Sequence, residues 1–301
     1  MLNSEIDWPQ KQRELQNHHI DSRRWNGFQF RDDDIVVATY AKSGTTWLQQ
    51  IIGQLIFDGA DHLPVMDISP WIDLRILPTE EINTAIASQT HRRFFKTHLP
   101  VDALVYCPKA KYIYIARDGR DTLWSWYNHH RGYSETAYRL FNDTPDRVGP
   151  PIERPNSNVI EYFHEWLDRD GYPIWAYFSN VQSWWDIRHL PNMLLIHFKE
   201  LKADLPKKIR DIAEFLEIEI NEEIFPAIVE HSSFDYMKRN ADDLTPLLDQ
   251  VFDGGADHFI NRGSNARWVD VLSDADIEKY LRIAGEKLSP DCAAWLGSEY
   301  E

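Results

Sequence analysis

The stretch Tyr40-Ala41-Lys42-Ser43-Gly44-Thr45-Thr46-Trp47 decides how this chain is read. Ahead of it, Asp34 to Tyr40 is a short apolar run rich in β-branched residues; behind it, Leu48, Ile51, Ile52, Leu55 and Ile56 recur at helical spacing. The octapeptide is therefore a tight turn from a strand into a helix N-terminus, where unpaired backbone N–H groups and the positive end of the helix dipole face one point. Gly44 lets a ligand approach the backbone and Lys42 adds a full charge, so the turn predicts an anion site suited to phosphate. A nucleoside-triphosphatase loop reads Gly-x4-Gly-Lys-Ser/Thr. Here the lysine precedes the glycine and the loop is shorter, which argues against an ATPase or a kinase. The plainer alternative is that Ser43, Thr45 and Thr46 only cap a helix and Lys42 is a solvated charge.

Outward from this turn, similar apolar runs occur at Arg93 to Thr97, Lys111 to Ala116 and Met193 to His197, each followed by a loop or by an amphipathic stretch such as Ile209, Ile212, Ala213 and Leu216. The alternation predicts an α/β fold, a single domain over all 301 residues with a central parallel sheet flanked by helices on both faces. Tyr133 to Pro155, rich in Pro, Asp, Asn and Gly, reads as a long surface loop or lid, and Asp242 to Ala266 as a second irregular stretch. Ile277, Tyr280, Leu281, Ala284 and Leu288 predict a C-terminal amphipathic helix over 274–288.

The formal charge of −16 opposes non-specific binding to nucleic acid or to an anionic membrane, so any anionic ligand must meet a local basic site. Met1 to Gln16 lacks the apolar core of a signal peptide and no run approaches 18 apolar residues, which predicts a soluble, cytoplasmic protein. Cys107 and Cys292 have neither a close partner nor zinc-like spacing and are expected as free thiols; no metal is implied.

Two further segments carry chemistry. In Phe94-Phe95-Lys96-Thr97-His98-Leu99-Pro100, Lys96 and His98 share one face of a strand end. A histidine there can take a proton from an attacking hydroxyl, and a lysine can neutralise charge on a transferred group; the alternative is a surface histidine. After the strand ending at Ala116, Arg117 and Ser125 can converge on one phosphate, Arg117 as a bidentate fork, unless the segment is an ordinary helix start with Asp118 or Asp121 as cap.

Together these segments resemble the cytosolic-type sulfotransferase family. Residues 40–47 match its phosphosulfate loop, Tyr-Pro-Lys-Ser-Gly-Thr-Thr-Trp, with Ala41 for proline. Lys-Thr-His-Leu at 96–99 is similar to its catalytic segment, and Arg117 with Ser125 to its 3′-phosphate motif, with Asp118 and Arg120 for asparagine and lysine. The resemblance covers about 34–268 and implies a P-loop-containing nucleotide-hydrolase-like fold. It also implies transfer of sulfonate from 3′-phosphoadenosine-5′-phosphosulfate (PAPS), without a metal, to a hydroxyl or amine of a small molecule, leaving 3′-phosphoadenosine-5′-phosphate (PAP). His98 would be the base, with Lys42 and Lys96 beside the transferred group. Lys42 and Ser43, Gly44, Thr45 and Thr46 would hold the phosphosulfate, and Trp47 would lie near the adenine. Ser232 and Phe234, in His231-Ser232-Ser233-Phe234, resemble the adenine segment, and Phe178 stands where relatives carry an adenine-contacting tyrosine. Asn261, Arg262 and Gly263 resemble the Arg-Lys-Gly loop, with Asn261 in place of its first cation and Arg267 nearby as a substitute. Trp71, Trp124, Trp126, Tyr127 and Tyr133 point to an aromatic or flat apolar acceptor such as a phenol or a hydroxylated lipid, the alternative being that these rings are plain core packing. A nucleotide-binding protein that has lost transfer is the rival reading.

Overall fold

Four strands form one parallel sheet: β1 (Ile35–Thr39), β2 (Phe94–Thr97), β3 (Lys111–Ala116) and β4 (Met193–His197), in the order β2-β1-β3-β4. A computed structural model describes residues 6–145, 147–246, 248–298 and 300. Both faces of the sheet are covered, and the two-residue period of a strand decides which side chain goes where. Val36, Ala38, Phe95, Tyr112 and Tyr114 enter one apolar cluster; Ile35, Val37, Phe94, Ile113 and Ile115 enter another on the opposite face. Every residue of β1 and β2 is buried, which is why these strands read as continuous apolar runs.

The second cluster is closed by α1 (Thr45–Ile56) through Leu48, Ile51, Ile52 and Leu55. The first is closed by α2 (Gly119–Arg131), which follows a tyrosine-rich strand and contributes Leu123, Trp124 and Trp126. Next in the chain come α3 (Glu135–Asn142), α4 (Tyr177–Asp186), α5 (Leu205–Leu216), α6 (Asp274–Lys287) and α7 (Pro290–Gly297). Of these, α5 joins the second cluster through Ile209, Ile212, Ala213 and Leu216, while α4, α6 and α7 join the first. Both cysteines are free. No helix among the described residues is long and apolar enough to cross a membrane.

Three expectations change. The stretch Tyr133 to Pro155 is not all loop, because Ser134 caps α3 by accepting from the Ala137 N–H at 3.1 Å. Asp242 to Ala266 holds the short helices Leu248–Val251 and Gly255–Phe259, and its start lies within a third, Ala241–Leu244. These pieces form by packing on each other: Ala137, Tyr138 and Phe141 meet Leu248 and Phe252 in a separate cluster, a contact that local propensity does not reveal. Leu281, counted on the apolar face of the C-terminal helix, is 53% exposed.

Candidate active site

The carboxyl ends of β1, β2 and β3 lie side by side, and the chain crosses from one side of β1 to the other between β2 and β3. Such a crossing opens a crevice above the strand ends. The turn after β1 fills its floor. Lys42 is left-handed at φ 72° and Gly44 at φ 112°. A Cβ on Gly44 would stand 2.9 Å from the Phe198 ring and 3.0 Å from Ile115, so backbone angle and space both demand glycine. No side chain caps α1, so its first N–H groups have no side-chain partner.

Thr39, the last residue of β1, ties the turn to the end of β2. Its hydroxyl lies 2.7 Å from that of Thr45 and 2.9 Å from His98 Nδ1, and its carbonyl lies 2.9 Å from the same nitrogen. A carbonyl only accepts, so Nδ1 carries the ring proton and Nε2 keeps a free lone pair. His98 is 4% exposed, and burial first, then Lys96 and Lys42, push its pKa down to about 3, so the ring is neutral. Behind it, the Asn180 side chain on α4 donates to the His98 carbonyl at 3.0 Å and accepts from the Tyr114 hydroxyl at 2.9 Å. The ring itself lies between Trp71, edge-on at 4.7 Å, and Trp175 at 5.8 Å.

Two lysines face the same space. Burial lowers Lys96 to about 8, against the opposing effect of Asp73, and its ammonium lies 5.4 Å from the Trp71 ring centre. Burial, with Lys96 and Arg117, lowers Lys42 to about 7; its ammonium is 4.6 Å over the Phe259 ring and 3.0 Å from His129 Nδ1.

A second group of cations gathers beyond β3. Arg117 donates to the Ser264 carbonyl at 3.0 Å and to Asn265 Oδ1 at 2.6 Å, and lies 4.6 Å over Phe198. Arg267 is pressed below its usual pKa by burial, then by Arg262 and Arg117, and these three guanidiniums line the same cavity as Ser125. Asp118 caps α2 and pairs with Arg120 at 2.8 Å, both buried, and Arg120 is sandwiched against Trp268 at 4.0 Å. The charged replacements at 118 and 120 thus satisfy each other. Gly263, at φ +58°, packs so closely that a Cβ would stand 2.6 Å from Phe234, which brings residues 234 and 261–263 into one wall.

Lys42, Gly44, Thr45, Lys96, His98, Arg117, Ser125, Phe234, Gly263 and Arg267 line one cavity of about 340 Å³. One end is basic and built from the turn and the arginines; the other is apolar, walled by Met66, Leu74, Ile76, Phe141, Val251 and Phe252. A family model described as the sulfotransferase domain matches residues 32–290. This chain belongs to the sulfotransferase family. The enzyme is thus a transferase of sulfonate groups. It is 28% identical over 296 residues to the glycolipid sulfotransferase of Mycobacterium tuberculosis, covering 91% of each chain. It is 30% identical to sulfotransferase 1B1 of Mus musculus, over 87% of this chain and 85% of that one. Among solved structures, retinol dehydratase in complex with androsterone and PAP is similar with a TM-score of 0.71 and 25% identity, over 89% of this chain and 84% of the other. Mouse sulfotransferase SULT7A1 with PAP shares the fold at a TM-score of 0.68 and 24% identity, over 92% of each chain.

The cavity brings together Lys42, Gly44, Thr45, Thr46, Trp47, Lys96, His98, Arg117, Ser125, Phe234, Asn261, Arg262 and Gly263, which the sequence singles out. Three others stand outside it. Ser43 is buried with its hydroxyl 3.4 Å from Thr122. Ser232 is buried too, and its carbonyl, not its hydroxyl, is used, accepting from the Trp47 indole at 2.7 Å. Phe178 is only 1% exposed, packed on Trp166, Tyr177 and Tyr280, because its helix turns that face to the core. Of the aromatic residues expected at the acceptor, Trp71, Trp124, Trp126 and Tyr133 line the cavity, while Tyr127 packs on Tyr162. Sequence reading missed Thr39, Asn180 and His129. His129 had a signal, standing four residues after Ser125 on the same helix face; Asn180 had none.

Proposed function

We propose that the enzyme carries sulfonate from PAPS to a hydroxyl, or an amine, of a small apolar acceptor, by in-line displacement with His98 as base. The observation that carries this reading is the Thr39 carbonyl on His98 Nδ1, which leaves a lone pair at Nε2 beside Lys42, Lys96 and the anion-binding turn. In the reaction the acceptor oxygen forms a bond to sulfur while its proton passes to Nε2. The bond from sulfur to the bridging oxygen breaks, and the electron pair leaves with the 5′-phosphate of PAP. As in phosphoryl transfer, positioning and charge stabilisation do most of the work. Lys42, Thr45, Thr46 and the open N–H groups of α1 suit the phosphosulfate, and Arg117, Ser125, Arg262 and Arg267 the 3′-phosphate. The wall of Trp47, Phe234 and Gly263 suits the adenine. Sulfonate and phosphates bring the negative charge these cations lack, which raises the affinity of His98 for the incoming proton. The apolar end supports an apolar acceptor, in keeping with the glycolipid named for one relative and the androsterone held by another.

The test is transfer of radiolabelled sulfonate from PAPS to a panel of phenols, alcohols and amines, with PAP binding by calorimetry. His98→Ala is expected to lose turnover by at least about a hundredfold while binding PAP nearly as wild type. Near-normal turnover of the variant would remove His98 from this role. PAP binding with no turnover by the wild type would favour a protein that keeps the nucleotide site without transfer.

A further inference from the structure

The contact between Lys42 and His129 sets a second histidine in the cavity. With the anionic donor at the turn Lys42 is held as an ammonium, which only donates, so the 3.0 Å contact makes His129 Nδ1 an acceptor. Burial first, then the neighbouring Lys42, holds this ring well below its ordinary pKa, so it is uncharged. Its single ring proton therefore sits on Nε2. The two nitrogens of an imidazole point in divergent directions, and with Nδ1 at Lys42 the Nε2–H is turned away from the anion-binding turn. The ring lines the cavity, and among the described residues Nε2 has no hydrogen-bond partner. Aromatic neighbours fix its plane: Trp126 edge-on at 5.1 Å, Tyr133 at 5.0 Å and Phe252 at 4.7 Å. His98 and His129 thus present opposite faces of one chemistry to the same space, a lone pair at the first and an N–H at the second.

We propose that His129 is a specificity-determining residue of the acceptor end, where its Nε2–H donates to an oxygen of the acceptor other than the one that receives sulfonate. The preferred acceptor class is then an apolar hydroxyl compound with a second hydrogen-bond-accepting oxygen, such as an ether, a carbonyl or a further hydroxyl. This rests on the sulfotransferase reading of the cavity. An acceptor without that oxygen displaces water from the N–H and leaves it unpaired in an aromatic wall, a loss that a binding site built around a polar group turns into discrimination.

Matched acceptor pairs test it. 4-Propylphenol is compared with 2-methoxy-4-propylphenol, and 1-undecanol with 2-octyloxyethanol, in the wild type, His129→Phe and His129→Asn. The readout is the ratio of kcat/KM within each pair, which cancels any change that reaches both acceptors through Lys42. The wild type is expected to favour the oxygen-bearing member of at least one pair by about tenfold. The preference falls toward unity in His129→Phe and is partly kept in His129→Asn, whose amide can accept from Lys42 and donate to the acceptor. Ratios near unity for both pairs in the wild type, or a preference unchanged in His129→Phe, would overturn the proposal; the wild-type ratio and His129→Asn decide it if His129→Phe does not fold. Turnover with flat ratios sinks this inference alone. No turnover and no binding of PAP would sink the sulfotransferase reading of the cavity, and this proposal with it.

Discussion

Lys42 is held in a left-handed backbone conformation, over an aromatic ring, with other cations beside it. Burial first, then Lys96 and Arg117, make the empty enzyme release the Lys42 proton near pH 7 instead of near 10.5. An anion at the turn favours the charged form, so binding of PAP above pH 7 takes up a proton, and affinity falls as pH rises. The phosphates, with a second pKa of about 6, lose their last proton at the low end of that range, which favours binding as pH rises and so does not cause the fall. Between pH 6.5 and 8.5 the affinity of the wild type for PAP is expected to drop by about tenfold in calorimetry, one pKa unit being one factor of ten. Lys42→Met should bind more weakly and with a flatter profile, flattened only in part because Lys96 titrates near 8. A profile of equal slope in both proteins would place the titration elsewhere. Single residues were also where the sequence was most legible: the order of lysine, glycine and hydroxyls in the turn is a statement about backbone freedom and charge, both of which are local.

At the level of elements, the strands and the helices that cover them follow their apolar periods, because burial on two faces leaves a plain signature. What the period cannot tell is which face of α4 meets a ligand. Phe178, expected from the family resemblance near the adenine, lies in the core beside Trp166 and Tyr280. Phe178→Tyr would bury a hydroxyl among aromatic rings. It is expected to cost about 1–3 kcal/mol of stability in denaturant unfolding and to leave PAP affinity unchanged. A gain in affinity would return position 178 to the nucleotide. The short helices around Phe141 and Phe252 escaped the sequence for a related reason: each is stabilised by the other, across a separation of more than a hundred residues. Asn180, which steadies the His98 backbone from 82 residues away, is legible only in the folded chain.

Across the whole molecule the charge is strongly negative, −16, while one cavity collects Lys42, Lys96, Arg117, Arg262 and Arg267. The surrounding charge disfavours polyanions in general, and the concentrated cations select a small ligand that carries several charges. Arg267 is the guanidinium that occupies the cavity where Asn261 brings no charge. Arg267→Met is expected to weaken PAP binding by roughly tenfold or more, consistent with the size of a hydrogen bond to a charged group, and to lessen its dependence on salt. Unchanged affinity would leave the 3′-phosphate to Arg117, Ser125 and Arg262. The parallel α/β sheet, the glycine-bearing turn after β1 and the segments of His98 and Arg117 were legible in the chain alone, since these rest on periodicity, backbone freedom and charge within a few residues of one another. The tautomer of His98, the pairing of Lys42 with His129 and the burial of Phe178 in the core emerge from folding alone, because each depends on a partner brought close by packing of distant segments.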